Sequence, residues 1–175
     1  MAPVAAYFFL YWGVVKRLSL VLSLVSVAGL SHADLRSEVT AARQKMEKAA
    51  MAKDVKGAEA AMKASVTSDF KYMQDGKPQD FKTFMSNFTA SIVMMEKVTS
   101  SSSRFISLKE HGNTATGHVE LMMKGVMKNP DKTLHKIDWT GAFTEEYRKV
   151  GGKWKTAVMT AGKQKFLVDG KPAKM

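Results

Sequence analysis

The sequence predicts an α+β domain in which three helices cover one face of a mostly antiparallel sheet. Two changes of period predict it. Apolar residues recur every three or four positions in the stretches that open and follow the first strand, and they alternate in period two over nearly everything beyond Glu96. Turn residues also punctuate the second half at hairpin-like intervals, with no internal repeat and no linker.

The elements follow in order. Leu35, Val39, Ala42, Met46 and Ala49 form one apolar stripe, with Arg36, Arg43, Lys45, Glu47 and Lys48 between them, so the first helix begins near Asp34, a plausible N-cap. A break at Lys53-Asp54 opens a shorter, alanine-rich helix carrying Val55, Ala58 and Met62. Val66, Ser68, Phe70 and Tyr72 then alternate with polar neighbours as a strand, and Asp75-Gly76-Lys77-Pro78 ends it with turn chemistry. Asp80 caps a third helix whose Phe81, Phe84, Met85, Phe88, Ile92 and Met95 make the strongest stripe in the chain and predict its main packing element. Beyond it, Val98, Ile106 and Leu108 share one parity of a strand, and Val119, Leu121, Met123 and Met127 one parity of the next. The third of these strands sets His135, Ile137, Trp139, Gly141, Phe143, Glu145 and Tyr147 against Lys136, Asp138 and Thr140. Gly151-Gly152 leads into a fourth, with Trp154, Thr156 and Val158 on one side, and a short segment Phe166-Leu167-Val168 follows. The predicted order is α-α-β-α-β-β-β-β.

Composition narrows the function classes. Of 175 residues, 45% are hydrophobic, which excludes a disordered chain, and the absence of cysteine excludes a disulfide scaffold, a thiolate metal site and thiol catalysis. Leu18 to Leu30 is a thirteen-residue apolar run preceded by Lys16-Arg17 and followed by Ser31-His32-Ala33. It is shorter than the roughly 17 to 25 residues of a membrane span and ends in small residues, so residues 1–33 are expected to be a secretory signal and 34–175 the domain. Translation is expected to start at Val14 or Val15, because Tyr7 to Trp12 precedes the charges that normally open such a signal. The expected location is secreted or periplasmic, with no membrane span after cleavage. The excess of 27 Lys+Arg over 16 Asp+Glu is dispersed rather than clustered with aromatics, so no nucleic-acid partner is expected.

Two alanine-rich helices joined at Ala50-Met51-Ala52-Lys53-Asp54, the strand Val66-Thr67-Ser68-Asp69-Phe70-Lys71-Tyr72, the helix after Gly76, and the ending Glu145-Glu146-Tyr147-Arg148-Lys149-Val150-Gly151-Gly152-Lys153-Trp154-Lys155 together resemble the nuclear transport factor 2-like superfamily. The likeness covers about residues 35 to 170 and is nearest to the small, often exported proteins related to SnoaL-like and ketosteroid-isomerase-like domains. It rests on the order of the motifs. The resemblance implies a cone: a strongly curved sheet wrapped around the helices, with a pocket at the open end. The superfamily holds isomerases, cyclases and dehydratases as well as non-catalytic domains, so the likeness carries no single activity.

Alternation assigns Phe70 and Tyr72 of the first strand, and Trp139, Phe143, Glu145 and Tyr147 of the third later strand, to the concave face, where with Phe84 and Phe88 they form the candidate ligand-binding set. Glu145 is the one carboxylate among these aromatics. It could serve as a general base, with Tyr72 as a hydrogen-bond donor, or it could lie solvated near the strand end beside a lysine. No acid with Tyr or His matches a catalytic set of the superfamily, and no catalytic residue is assigned beyond these two weak candidates. His118 falls on the polar parity. Four histidines show no metal spacing, and Met46, Met62, Met85 and Met95 fall on apolar stripes as core filling rather than copper ligands, so no metal or cofactor is expected.

The sequence therefore predicts a non-catalytic domain binding a small apolar or amphipathic molecule. An isomerase- or cyclase-type enzyme using a pocket carboxylate, and a cationic module binding anionic envelope polymers or a partner protein, are the alternatives. A homodimer through the outer sheet face is expected. Within the pocket, Trp139 and Phe143 are expected buried against Phe84 and Phe88, with Glu145 and Tyr147 nearer the open end and Tyr72 across from them. On that arrangement Trp139→Ala would cost about 3 to 5 kcal/mol, whereas Glu145→Gln, relieving a lone desolvated acid, would fold as well or better.

Overall fold

A computed structural model describes residues 35–129 and 131–173. The expected signal sequence and its alternative start lie outside the described residues. The whole sheet lies in one compact unit that begins at Glu38.

Three helices occur among the described residues: α1 (35–51), α2 (Val55–Ser65) and α3 (Phe81–Met94). Each break has a local cause. Lys53 takes a left-handed φ of 55° that ends α1. Asp54 caps α2 by accepting from the Gly57 N–H at 2.9 Å, and Asp80 caps α3 by accepting from the Thr83 N–H at 2.8 Å. The inward stripe of α1 is Val39, Arg43, Met46 and Ala50, so two of its members differ from the expected apolar stripe. Met95 is the C-cap of α3 and the first residue of a strand rather than part of the helix. On α3 only Met85 and Ile92 are buried; its phenylalanines are partly exposed.

The strands are β1 (Val66–Gln74), β2 (Lys77–Gln79), β3 (Met95–His111), β4 (Thr114–Lys128), β5 (Leu134–Val150), β6 (Lys153–Val168) and β7 (Lys171–Pro172). They form one sheet in the order β2-β1-β6-β5-β4-β3, with β7 also paired to β6. Only β1 and β6 run parallel; the other pairs are antiparallel. The predicted order of helices and strands is therefore the observed one, with two short strands added. Asp75 and Gly76 both have positive φ, 51° and 73°, which makes a tight hairpin. The expected turn Lys77-Pro78 thereby becomes the start of β2.

Two face assignments fail for one reason. Against the expectation that Val98, Ile106 and Leu108 share one face, β3 shifts register against β4 between Val98 and Ser100, which turns Phe105 inward and leaves Ile106 62% exposed, and shifts again between Phe105 and Ser107, which returns Leu108 to the face of Val98. On β6 a shift against β5 after Glu146 puts Met159 in the core in place of Val158. The fourth strand and the short segment expected after it are also a single strand; Ala161 to Lys165, small or polar, continues the ladder against β5.

The core lies between the concave face and the helices. Met62, Val66, Phe70, Tyr72, Met85, Phe143 and Met159 form its main cluster. Ala50, Ala58 and Ile92 close the junction of the three helices.

Candidate functional site

Residues two apart on a strand share a face, so Phe143, Glu145 and Tyr147 all project from β5 toward the helices. Their burial is graded. Tyr147 and Glu145 are 0% and 1% exposed, Phe143 is 5% exposed, and Trp139 is partly open. The expected depth is thus inverted: the acid and tyrosine are sealed beneath Arg43 of α1, and Trp139 is more open than either, although Ile137 two residues before it is again buried at 4%.

α1 carries the partner. Arg43 is four residues after Val39 and three before Met46, so it points along the same inward stripe. Its Nη2 donates to Glu145 Oε2 at 2.7 Å and to the Tyr147 hydroxyl at 2.9 Å, and that hydroxyl donates to the same Oε2 at 2.6 Å. The guanidinium lies 4.6 Å over the Phe105 ring, which in turn leans on Tyr147 with centroids 6.4 Å apart. Gly117, cross-strand from Glu145, leaves the room: a Cβ there would come within 3.1 Å of the Tyr147 ring and 3.2 Å of Phe105. Burial, with the Glu145 charge second, pushes the Tyr147 phenol far above its ordinary value, so it remains a donor. Glu145 is therefore neither a lone acid nor a solvated one beside a lysine. It is half of a buried ion pair.

Above this floor is a cavity of about 540 Å³. Tyr72, Phe84, Phe88, Trp139, Phe143 and Glu145 of the expected set line it; Phe70 and Tyr147 stand behind the lining. Phe70 is packed edge-on to Phe81 and Phe84 at 6.3 and 5.7 Å. Tyr72 leans on Phe84 at 4.9 Å, and Phe84 stacks with Phe88 at 6.2 Å. Eight lining residues are methionines, among them Met46, Met62, Met123 and Met159, which gives the wall soft, adaptable side chains. At the exposed end the Trp139 indole donates to Gln164 at 3.2 Å. Burial raises the Tyr72 phenol.

Tyr72 is not beside Glu145. Both are register partners of Met159, which stands between them, so their backbones are about 10 Å apart by two interstrand spacings. His118 is exposed on the outer face, with Thr144 Oγ1 at 3.2 Å. No group of three or more His, Asp or Glu able to hold a metal occurs among the described residues.

Sequence reasoning missed Arg43, reading it as part of the polar face of α1. Its four-residue spacing from Val39 was the available signal.

No family model matches the chain, and no curated protein matches it. Solved structures do. A protein from Kribbella flavida aligns with a TM-score of 0.59 at 12% identity, over 77% of this chain and 94% of its own. An NTF-2-like protein of unknown function from Shewanella oneidensis aligns at 0.53 and 12%, over 73% and 98%. An NTF2-like protein of unknown function from Prochlorococcus aligns at 0.53 and 18%, over 73% and 91%. Helices laid on one sheet, the strand order and these alignments agree: the chain has the NTF2-like fold.

Proposed function

We propose that this protein is an exported, non-catalytic domain that binds one small apolar or amphipathic molecule in the cavity between α1, α3 and the sheet. The observation that carries the reading is a cavity of about 540 Å³ lined mainly by methionine, aromatic and other apolar side chains, with Arg43, Glu47 and Glu145 its charged members, the composition typical of small-molecule sites. An acid–tyrosine catalytic pair finds no support: Glu145 Oε2 already accepts from Arg43 and Tyr147, and Tyr72 is two strands away. Export is supported by Lys16-Arg17, the apolar run and Ser31-His32-Ala33.

The test is titration with N-phenyl-1-naphthylamine, an uncharged apolar dye that brightens on leaving water. Saturable binding of one dye per chain is expected, weakened at least tenfold by Ala42→Phe, which fills the cavity from α1. Absence of saturable binding, or equal binding by a folded Ala42→Phe protein, would overturn the reading.

A further inference from the structure

The Arg43–Glu145 contact is single-ended. Arg43 Nη2 meets Glu145 Oε2, while Arg43 Nη1 and Glu145 Oε1 have no hydrogen-bond partner among the described residues. Both side chains line the cavity, at 9% and 1% exposure. A third buried and unpartnered polar atom, the Trp154 indole Nε1, belongs to another lining residue. Buried polar groups of native proteins are almost always satisfied. An unused donor and an unused acceptor on one ion pair thus mark a place where a partner from outside the chain would complete the set.

Resting on the cavity-binding reading above, we infer that the floor selects the head of the ligand: an uncharged group that accepts from Arg43 Nη1 and donates to Glu145 Oε1, such as a primary carboxamide or a hydroxyl, on an apolar body that follows the methionine and aromatic walls. Charge excludes the obvious alternatives. The pair is neutral as a whole, so a carboxylate head would meet the bare Glu145 oxygen and lose its hydration in an apolar chamber. An ammonium head would face Arg43. A head that only accepts leaves Glu145 Oε1 unpaired, and sites built around a polar group reject analogues that lack the matching one.

The experiment uses the full domain and displacement of N-phenyl-1-naphthylamine by octanamide, 1-octanol, N,N-dimethyloctanamide and octanoate at neutral pH. Octanamide and octanol should displace the dye at concentrations at least tenfold below those needed for the dimethylamide and for octanoate. Equal displacement by all four would overturn the head-group assignment while leaving the cavity reading intact. Failure of the dye itself to bind would overturn both. The ligand series is run on the unaltered protein, so the folding of a variant does not enter the result.

Discussion

The two ends of β5 carry the same inward parity and behave as different materials. At the deep end, Glu145 and Tyr147 are sealed with Arg43 in a network of three short hydrogen bonds. At the exposed end, Trp139 is partly open, packs on Phe143 with centroids 6.0 Å apart and holds a single amide contact. Alternation tells which residues face inward, but what packs over each one decides how deep it goes: Arg43 and Phe105 cover Glu145 and Tyr147, and Ile137, two residues before Trp139, is buried with Met95 and Val98. Depth then decides chemistry: a charge at the deep end must bring its partner, while an aromatic at the other end is free to meet a guest.

The largest effect should come from breaking the deep end unevenly. Arg43→Met strands a carboxylate that is 1% exposed and should cost about 3 to 5 kcal/mol, read as a shift in denaturant midpoint. Glu145→Gln should also destabilise, because it leaves the guanidinium uncompensated; a harmless isostere requires an unpaired acid, and this one is paired. Tyr147→Phe removes one donor to a charged group and should cost about 1.5 to 3 kcal/mol.

That phenol also gives a pH signature. Its folded value lies above the ordinary 10.0, so the stability it contributes is complete below pH 10 and is lost as pH rises beyond it, when the unfolded chain releases a proton that the folded chain keeps. Stability of the parent protein should therefore fall more steeply above pH 10 than that of Tyr147→Phe. Parallel slopes would mean that the hydroxyl is not buried.

At the exposed end, Trp139→Ala should cost only about half of the roughly 3 to 5 kcal/mol of a fully buried tryptophan, and should weaken dye binding more than it weakens folding. The reverse ranking would place Trp139 in the core. Smallest of all is the surface. Asp80, Asp131 and Asp169 are held below the ordinary 3.8 by hydrogen bonds from the Thr83 backbone, the Thr133 hydroxyl and His135. What they contribute is present above that value and lost as pH falls through their lower folded values. Thermal melting points should be flat in this respect above about pH 4 and slip below it.

Periodicity and caps sufficed for the order of elements, since Asp54, Asp80 and the alternating aromatics act over a few residues. Bulges did not announce themselves: one inserted residue between Val98 and Ser100 and one near Val158 reverse the faces beyond, a further one at Ile106 reverses β3 back, and nothing local in the sequence marks them. At the site, the inward set on β5 was legible from alternation. Its partner was not, because Arg43 and Glu145 are 102 positions apart and a charged residue on an amphipathic helix ordinarily faces water. The spacing of Arg43 from Val39 and Met46 was the one clue.

A double-mutant cycle on Arg43 and Glu145, followed by chemical denaturation, tests the central claim that the floor is one buried ion pair. Arg43→Met and Glu145→Leu should each cost about 3 to 5 kcal/mol, while the double variant should cost far less than their sum, because two apolar side chains replace a pair whose desolvation offsets its attraction. Costs that add to within about 0.5 kcal/mol would show that the two residues do not meet.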